Sequence, residues 1–106
     1  MRRFRPRRIS DSAVLADTES GYALQTYGRL KLNDTSGVAI IPIGSTSITV
    51  APPVDLTESS FVLLTPRANL NGRDLWFSVD TTADALTIRI SSSRANETRI
   101  SWLLLG

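Results

Sequence analysis

The residues that could do chemistry are few, and two missing residue types narrow the field first. The 106-residue chain has no histidine and no cysteine. It therefore lacks the commonest general base and metal ligand, and it can form neither a disulfide nor a thiolate zinc site. Serine runs such as Ser91-Ser92-Ser93 have no imidazole to activate them, which excludes a serine triad. The acids Asp80 and Asp84 are the nearest approach to a calcium or glycosidase pair. Their spacing is not that of an EF-hand, and turns collect aspartate for backbone reasons. The chain reads as non-catalytic, with no cofactor and no metal.

Two constellations suit binding. Arg67, Asn69, Asn71, Arg73 and Asp74 crowd a short segment that leads into Trp76. Amides, guanidinium and carboxylate match sugar hydroxyls, and an indole matches the apolar face of a sugar ring, so this is the candidate carbohydrate-binding set. The plainer alternative is a hairpin loop held by its own side chains, with Trp76 in an interface. The second constellation is Arg2, Arg3, Arg5, Arg7 and Arg8, five cations without an acid in the first eight residues. They suit partner docking: to an acidic protein surface, to a neighbouring subunit, or to the phosphates of nucleic acid. Nucleic-acid binding is the least favoured of these, because Phe4 is the only aromatic interleaved with the charge. A solvated tail without a role is the remaining alternative.

The charge needs reading by region. Twelve basic and ten acidic residues give the chain a formal +2, but with the five arginines set aside the remainder has seven bases against ten acids, net −3. The arm is basic and the body mildly acidic. Lys31 is the single lysine beside eleven arginines, a bias that a GC-rich genome explains, with a functional preference for bidentate arginine contacts as the alternative. No apolar stretch after Arg2-Arg3-Phe4 resembles a leader, and no run is long enough to span a membrane. The expectation is a protein without a signal peptide or membrane contact.

The elements that must position these groups are strands. Residues 1–9 read as a disordered or partner-ordered basic arm, since like charges repel and Pro6 blocks regular pairing. Residues 10–36 read as an extended N-terminal segment. Within it Tyr22, Leu24, Leu30 and Leu32 share one parity, Gly28 marks a bend, and Asn33-Asp34-Thr35-Ser36-Gly37 is a dense turn signal. Residues 37–106 carry the folded body. Val38–Ile41 is stopped by Pro42, and Ser47–Val50 is stopped by Pro52-Pro53, with a polar loop from Asp55 to Ser59. Phe61–Leu64 is apolar on both parities and predicts a central strand covered on both faces. Leu75, Phe77 and Val79 share a parity, as do Leu86, Ile88 and Ile90. In the last run Ile100, Trp102 and Leu104 alternate with Ser101, but Leu103 and Leu105 make the second face apolar as well. No amphipathic helix is available to cover it, so a neighbouring subunit is expected there, with Trp102, Leu103 and Leu105 at the oligomer interface. The fold class predicted is all-β: a small antiparallel β-sandwich of about six to seven strands.

This pattern resembles the H-type lectin domain. The resemblance rests on the strand and proline crossover Ile48-Thr49-Val50-Ala51-Pro52-Pro53-Val54, the loop Asn69 to Arg73, the strand Leu86 to Ile90 and the terminal Ile100-Ser101-Trp102 followed by Gly106. It covers roughly residues 38–106 and implies a six-stranded sandwich that assembles as a trimer and binds sugars near subunit boundaries. The family's N-terminal strand pattern is not evident here. Small sandwich modules of this look also occur in bacteriophage tail fibres and capsid-decorating proteins. The expectation drawn is a structural or adhesive virion module, a capsid decoration or tail-associated protein, made in the host cytoplasm and acting as a homo-oligomer, with other virion proteins as partners. A lectin domain that binds cell-surface glycan is the alternative.

Overall fold

The computed structural model describes residues 15–106; the arginine arm lies outside the described residues. The chain divides into two units at Lys31/Leu32, and of the first only residues 15–31 are described. In the first, residues 15–31 form no helix or strand, so the shared parity of Tyr22, Leu24 and Leu30 produces no hydrogen-bonded ladder. Period-two patterning needs a paired edge to become a strand, and Gly21 and Gly28, both at positive φ, break this stretch into bends.

The second unit is all-β among the described residues, with six strands: β1 (Ser36–Ile41), β2 (Ser47–Val50), β3 (Phe61–Pro66), β4 (Leu75–Asp80), β5 (Ala85–Ile90) and β6 (Thr98–Leu105). They form two three-stranded antiparallel sheets, ordered β1-β6-β3 and β2-β5-β4. The predicted sandwich is thus present with six strands.

Alternation decides which residues fill the space between the sheets. Ile100, Trp102 and Leu104 from β6 meet Leu86, Ile88 and Ile90 from β5, joined by Ala39, Ile41 and Val62. Both core-forming triplets sit on the middle strand of their sheet, where each side chain has neighbours on both sides. Partly buried Ile48, Val50, Leu64, Leu75 and Val79 pack around them. Burying a large aliphatic side chain contributes about 1.5–3 kcal/mol, so this cluster supplies the main drive to fold.

Three details differ from the sequence reading. Phe61–Leu64 is not a central strand: β3 is a sheet edge, and Phe61 and Leu63 point outward, 69% and 55% exposed. The centre belongs to β6, which at eight residues is long enough to pair with β1 and β3 at once. Gly37 is a strand residue inside β1 and not the end of a turn. It lies opposite Trp102 in register, and a β-carbon there would stand 3.2 Å from the indole Nε1. Finally, the Asp55–Ser59 loop is not wholly polar in its packing, because Leu56 enters the core and is 4% exposed.

The connections sort into two ends. The turn 42–46, the loop 67–74 and the loop 91–97 gather at one end, where the Gly44 N–H donates to the Arg94 carbonyl (3.3 Å) and Asp74 and Ser91 bond through their backbones. The crossover 51–60 and the turn 81–84 gather at the other, linked by the Leu56 N–H donating to Asp84 Oδ1 (2.9 Å).

Candidate functional site

The candidate sugar-binding set lies on the β3–β4 connection and the first residues of β4, and two of its side chains, Asn69 and Arg73, are used by the loops themselves. Asn69 Oδ1 accepts the Asn71 N–H at 2.8 Å, closing a local turn. Asn71 and Gly72 then take positive φ, 54° and 82°, the region that asparagine and glycine tolerate best. Arg73 is the clamp of the loop. Its guanidinium donates to the carbonyls of Leu70 (3.0 Å), Ser92 (3.0 Å) and Ser93 (2.8 Å). One planar fork thereby ties the β3–β4 loop to the β5–β6 loop, a geometry that lysine cannot reproduce. The Asp74 N–H donates to Ser91 Oγ at 2.9 Å. The Arg67 N–H donates to the Arg99 carbonyl at 2.9 Å, prolonging the β3–β6 pairing, while its side chain is exposed.

Trp76 is placed apart from this loop chemistry. It projects from the outer face of the β2-β5-β4 sheet, is 45% exposed, and stands directly opposite Arg89 in the β4–β5 register. Its surroundings on that face are hydroxylic: Ser78 is paired with Thr87, and Thr87 Oγ1 lies 3.1 Å from Thr49 Oγ1 on the neighbouring strand. The six residues therefore separate into two side chains bonded to loop backbone (Asn69, Arg73), two exposed residues held through their backbone N–H groups (Asn71, Asp74), an exposed Arg67 and a sheet-borne Trp76.

The outer face of the β1-β6-β3 sheet is of a different character. Alternation places Val38 and Ile40 of β1, Phe61 and Leu63 of β3, and Leu103 and Leu105 of β6 on one side. In register, Leu63 lies opposite Leu103 and Phe61 opposite Leu105, so these four side chains are contiguous, while Val38 and Ile40 face Ser101 and Arg99 across the β1–β6 ladder. Five of the six are exposed and Leu103 is half-buried. Ser36, Thr65, Ser101 and Arg99 complete the face, and Arg99 is engaged by Glu97 through Nε (3.0 Å) and Nη2 (2.9 Å). Of the three residues assigned to an interface from sequence, Leu103 and Leu105 lie here. Trp102 is on the opposite side of the same strand, in the core and 8% exposed, because strand neighbours alternate faces. Val38, Ile40, Phe61 and Leu63 were not singled out from sequence. Their signal was present as apolar residues on the second parity of two strands that frame the same centre.

The acids at the β4–β5 turn have structural duties. Asp80 Oδ1 accepts from the N–H groups of Thr82 (2.9 Å) and Ala83 (3.1 Å), and Asp84, at φ 51°, accepts from Leu56. No group of three potential metal-ligating side chains occurs among the described residues, and no helix there is long and apolar enough to cross a membrane. Thr98, buried at the start of β6, receives a hydrogen bond from Arg94 Nη1 at 3.1 Å. Compared with protein-family models, curated proteins and solved structures, the chain finds no match in any of the three.

Proposed function

We propose that this chain is a non-catalytic structural or adhesive module that works as an oligomer, with the outer face of the β1-β6-β3 sheet buried between copies. The observation that carries the reading is the apolar cluster Phe61, Leu63, Leu103 and Leu105 on that face, flanked on β1 by the exposed Val38 and Ile40. Folded monomers rarely leave a connected apolar patch in water, and burial at about 25 cal/mol per Å² makes such a face a driving force for association. The sequence resemblance favours a trimer, and it favours a bacteriophage particle as the setting, in a capsid decoration or tail-associated role. Light scattering across a dilution series tests the core of the reading: a stable trimer supports it, and a clean monomer overturns it.

A carbohydrate-binding reading has one observation in its favour, the half-exposed Trp76 opposite Arg89 beside a hydroxyl row. A glycan screen in which binding is lost on Trp76→Ala supports that reading; absence of binding removes it.

A further inference from the structure

The charged residues of the sandwich are sorted by end. Within Leu32–Gly106, Asp34, Asp55, Glu58, Asp80 and Asp84 all lie toward the end where Val50, Asp80, Phe61 and Leu105 are found. No lysine or arginine of this unit joins them. Arg67, Arg73, Arg89, Arg94 and Arg99 all lie toward the opposite end, where Ile41, Ser47, Pro66 and Leu75 are found, accompanied by Asp74 and Glu97. One end therefore carries five acids and no base, the other five bases and two acids. The topology produces this sorting. The 51–60 crossover and the 81–84 turn share one end through the Leu56–Asp84 bond, and the 67–74 and 91–97 loops share the other through the Arg73 clamp.

The sorting persists in solution because the ends are far apart and their charges are held. Strands of six to eight residues at about 3.3 Å per residue separate the ends by roughly 20 Å or more, against a Debye length of about 8–10 Å in ordinary buffer. The ends cannot neutralise one another across that distance. At the basic end, Arg73 and Arg94 donate to neutral carbonyl and hydroxyl oxygens, which fixes their position without cancelling their charge. Only Arg99 is paired with an acid, Glu97, among the described residues.

We propose that the acidic end of one copy docks on the basic end of a second copy, in a head-to-tail contact along the strand direction. The two surfaces belong to the same rigid sandwich and are opposite in sign, so a second copy is the partner whose chemistry is already on the molecule. Such a contact is heterologous: after one contact each copy still has one free end, and repetition builds a closed ring or a growing row. It goes beyond the lateral apolar contact and does not depend on it. The two respond to salt in opposite senses, since screening weakens opposed charges whereas apolar burial is not screened.

The test is sedimentation velocity on the full-length chain at low salt (about 20 mM) and high salt (about 0.5 M), where the Debye length falls several-fold. Two double variants accompany it, Asp55→Lys/Glu58→Lys and Arg67→Glu/Arg89→Glu, whose four side chains are all exposed. Circular-dichroism melting confirms that each folds. The wild type is expected to show a salt-sensitive assembly whose association constant falls at least about tenfold between the two conditions. Each variant alone loses that assembly. An equimolar mixture regains one contact, between the untouched basic end of the first variant and the untouched acidic end of the second, and stops there. An assembly of the same size at both salt concentrations overturns the proposal, as does a mixture that regains nothing. If Arg67→Glu/Arg89→Glu assembles like the wild type, the acidic end is taken by the arginines of residues 2–8 and the head-to-tail contact is wrong. The apolar contact is judged separately, by whether an oligomer survives at high salt.

Discussion

Gly37 and Trp102 face each other across the β1–β6 ladder, and the indole occupies the space that a side chain at position 37 would need. A β-carbon built on Gly37 lies 3.2 Å from Nε1 and 3.3 Å from the adjoining ring carbons. The ring is held by the core on its other side, so it has little freedom to withdraw. Gly37→Ala is expected to destabilise the fold by about 1–2 kcal/mol, the cost of overpacking exceeding the small entropic gain of losing a strand glycine. Urea unfolding followed by Trp fluorescence measures it. A neutral or stabilising result means that the edge strand can shift away from the ring.

Asp84 joins the crossover to the β4–β5 turn. Removing its carboxylate leaves the Leu56 N–H, which sits beside a buried side chain, without its acceptor. Asp84→Ala should cost about 1–3 kcal/mol, from the lost hydrogen bond and from placing alanine at φ 51°. Asp84→Asn keeps an acceptor oxygen and tolerates that backbone, and should recover most of the loss. Equal costs in the two variants would show that the bond to Leu56 contributes nothing.

Arg73→Lys tests the loop clamp. A single ammonium cannot reach three carbonyls arranged for a planar fork, so the variant should lose about 1–2 kcal/mol despite keeping its charge. Hydrogen exchange should quicken in residues 67–74 and 91–97 together, because the clamp couples the two loops. Faster exchange in one loop alone contradicts the coupling.

Leu63→Glu places a charge in the middle of the outer apolar face, opposite Leu103. Leu63 is exposed in the single chain, so the fold should change by no more than about 0.5 kcal/mol. Association through this face should fall at least about tenfold, as seen by light scattering at high salt. Retained association in a folded variant places the contact elsewhere.

The sandwich was legible from sequence because both central strands bury one clean parity, Leu86, Ile88 and Ile90 against Ile100, Trp102 and Leu104. Proline and asparagine-glycine signals marked the turns for reasons of backbone geometry alone. Strand order was not legible. Phe61–Leu64 and Leu103–Leu105 are both apolar on two parities, and periodicity cannot say which of them lies at the centre and which at the edge. Gly37 was misplaced because a strand glycine pressed on an indole looks, in sequence, like the close of a turn rich in asparagine and serine. In the candidate sugar site the residue types were suggestive, but only the folded chain shows that the groups of Asn69 and Arg73 are directed at the backbone of the loops. The alternation of charge between the two ends was invisible to a linear reading, since each end draws its residues from widely separated loops.

The central position of β6 also sets the order in which the protein can be made. Ser36 must pair with Leu103 and Phe61 with Leu105, so neither β1 nor β3 has a partner until the residues from Thr98 onward have left the ribosome. The β2-β5-β4 sheet can form earlier, and it then waits with Leu86, Ile88 and Ile90 uncovered. Pairing of such distant segments is slow, on the order of milliseconds to seconds. A chain cut short before Thr98 and released would present two unpaired apolar strands and an open half-core at once, a form prone to aggregate.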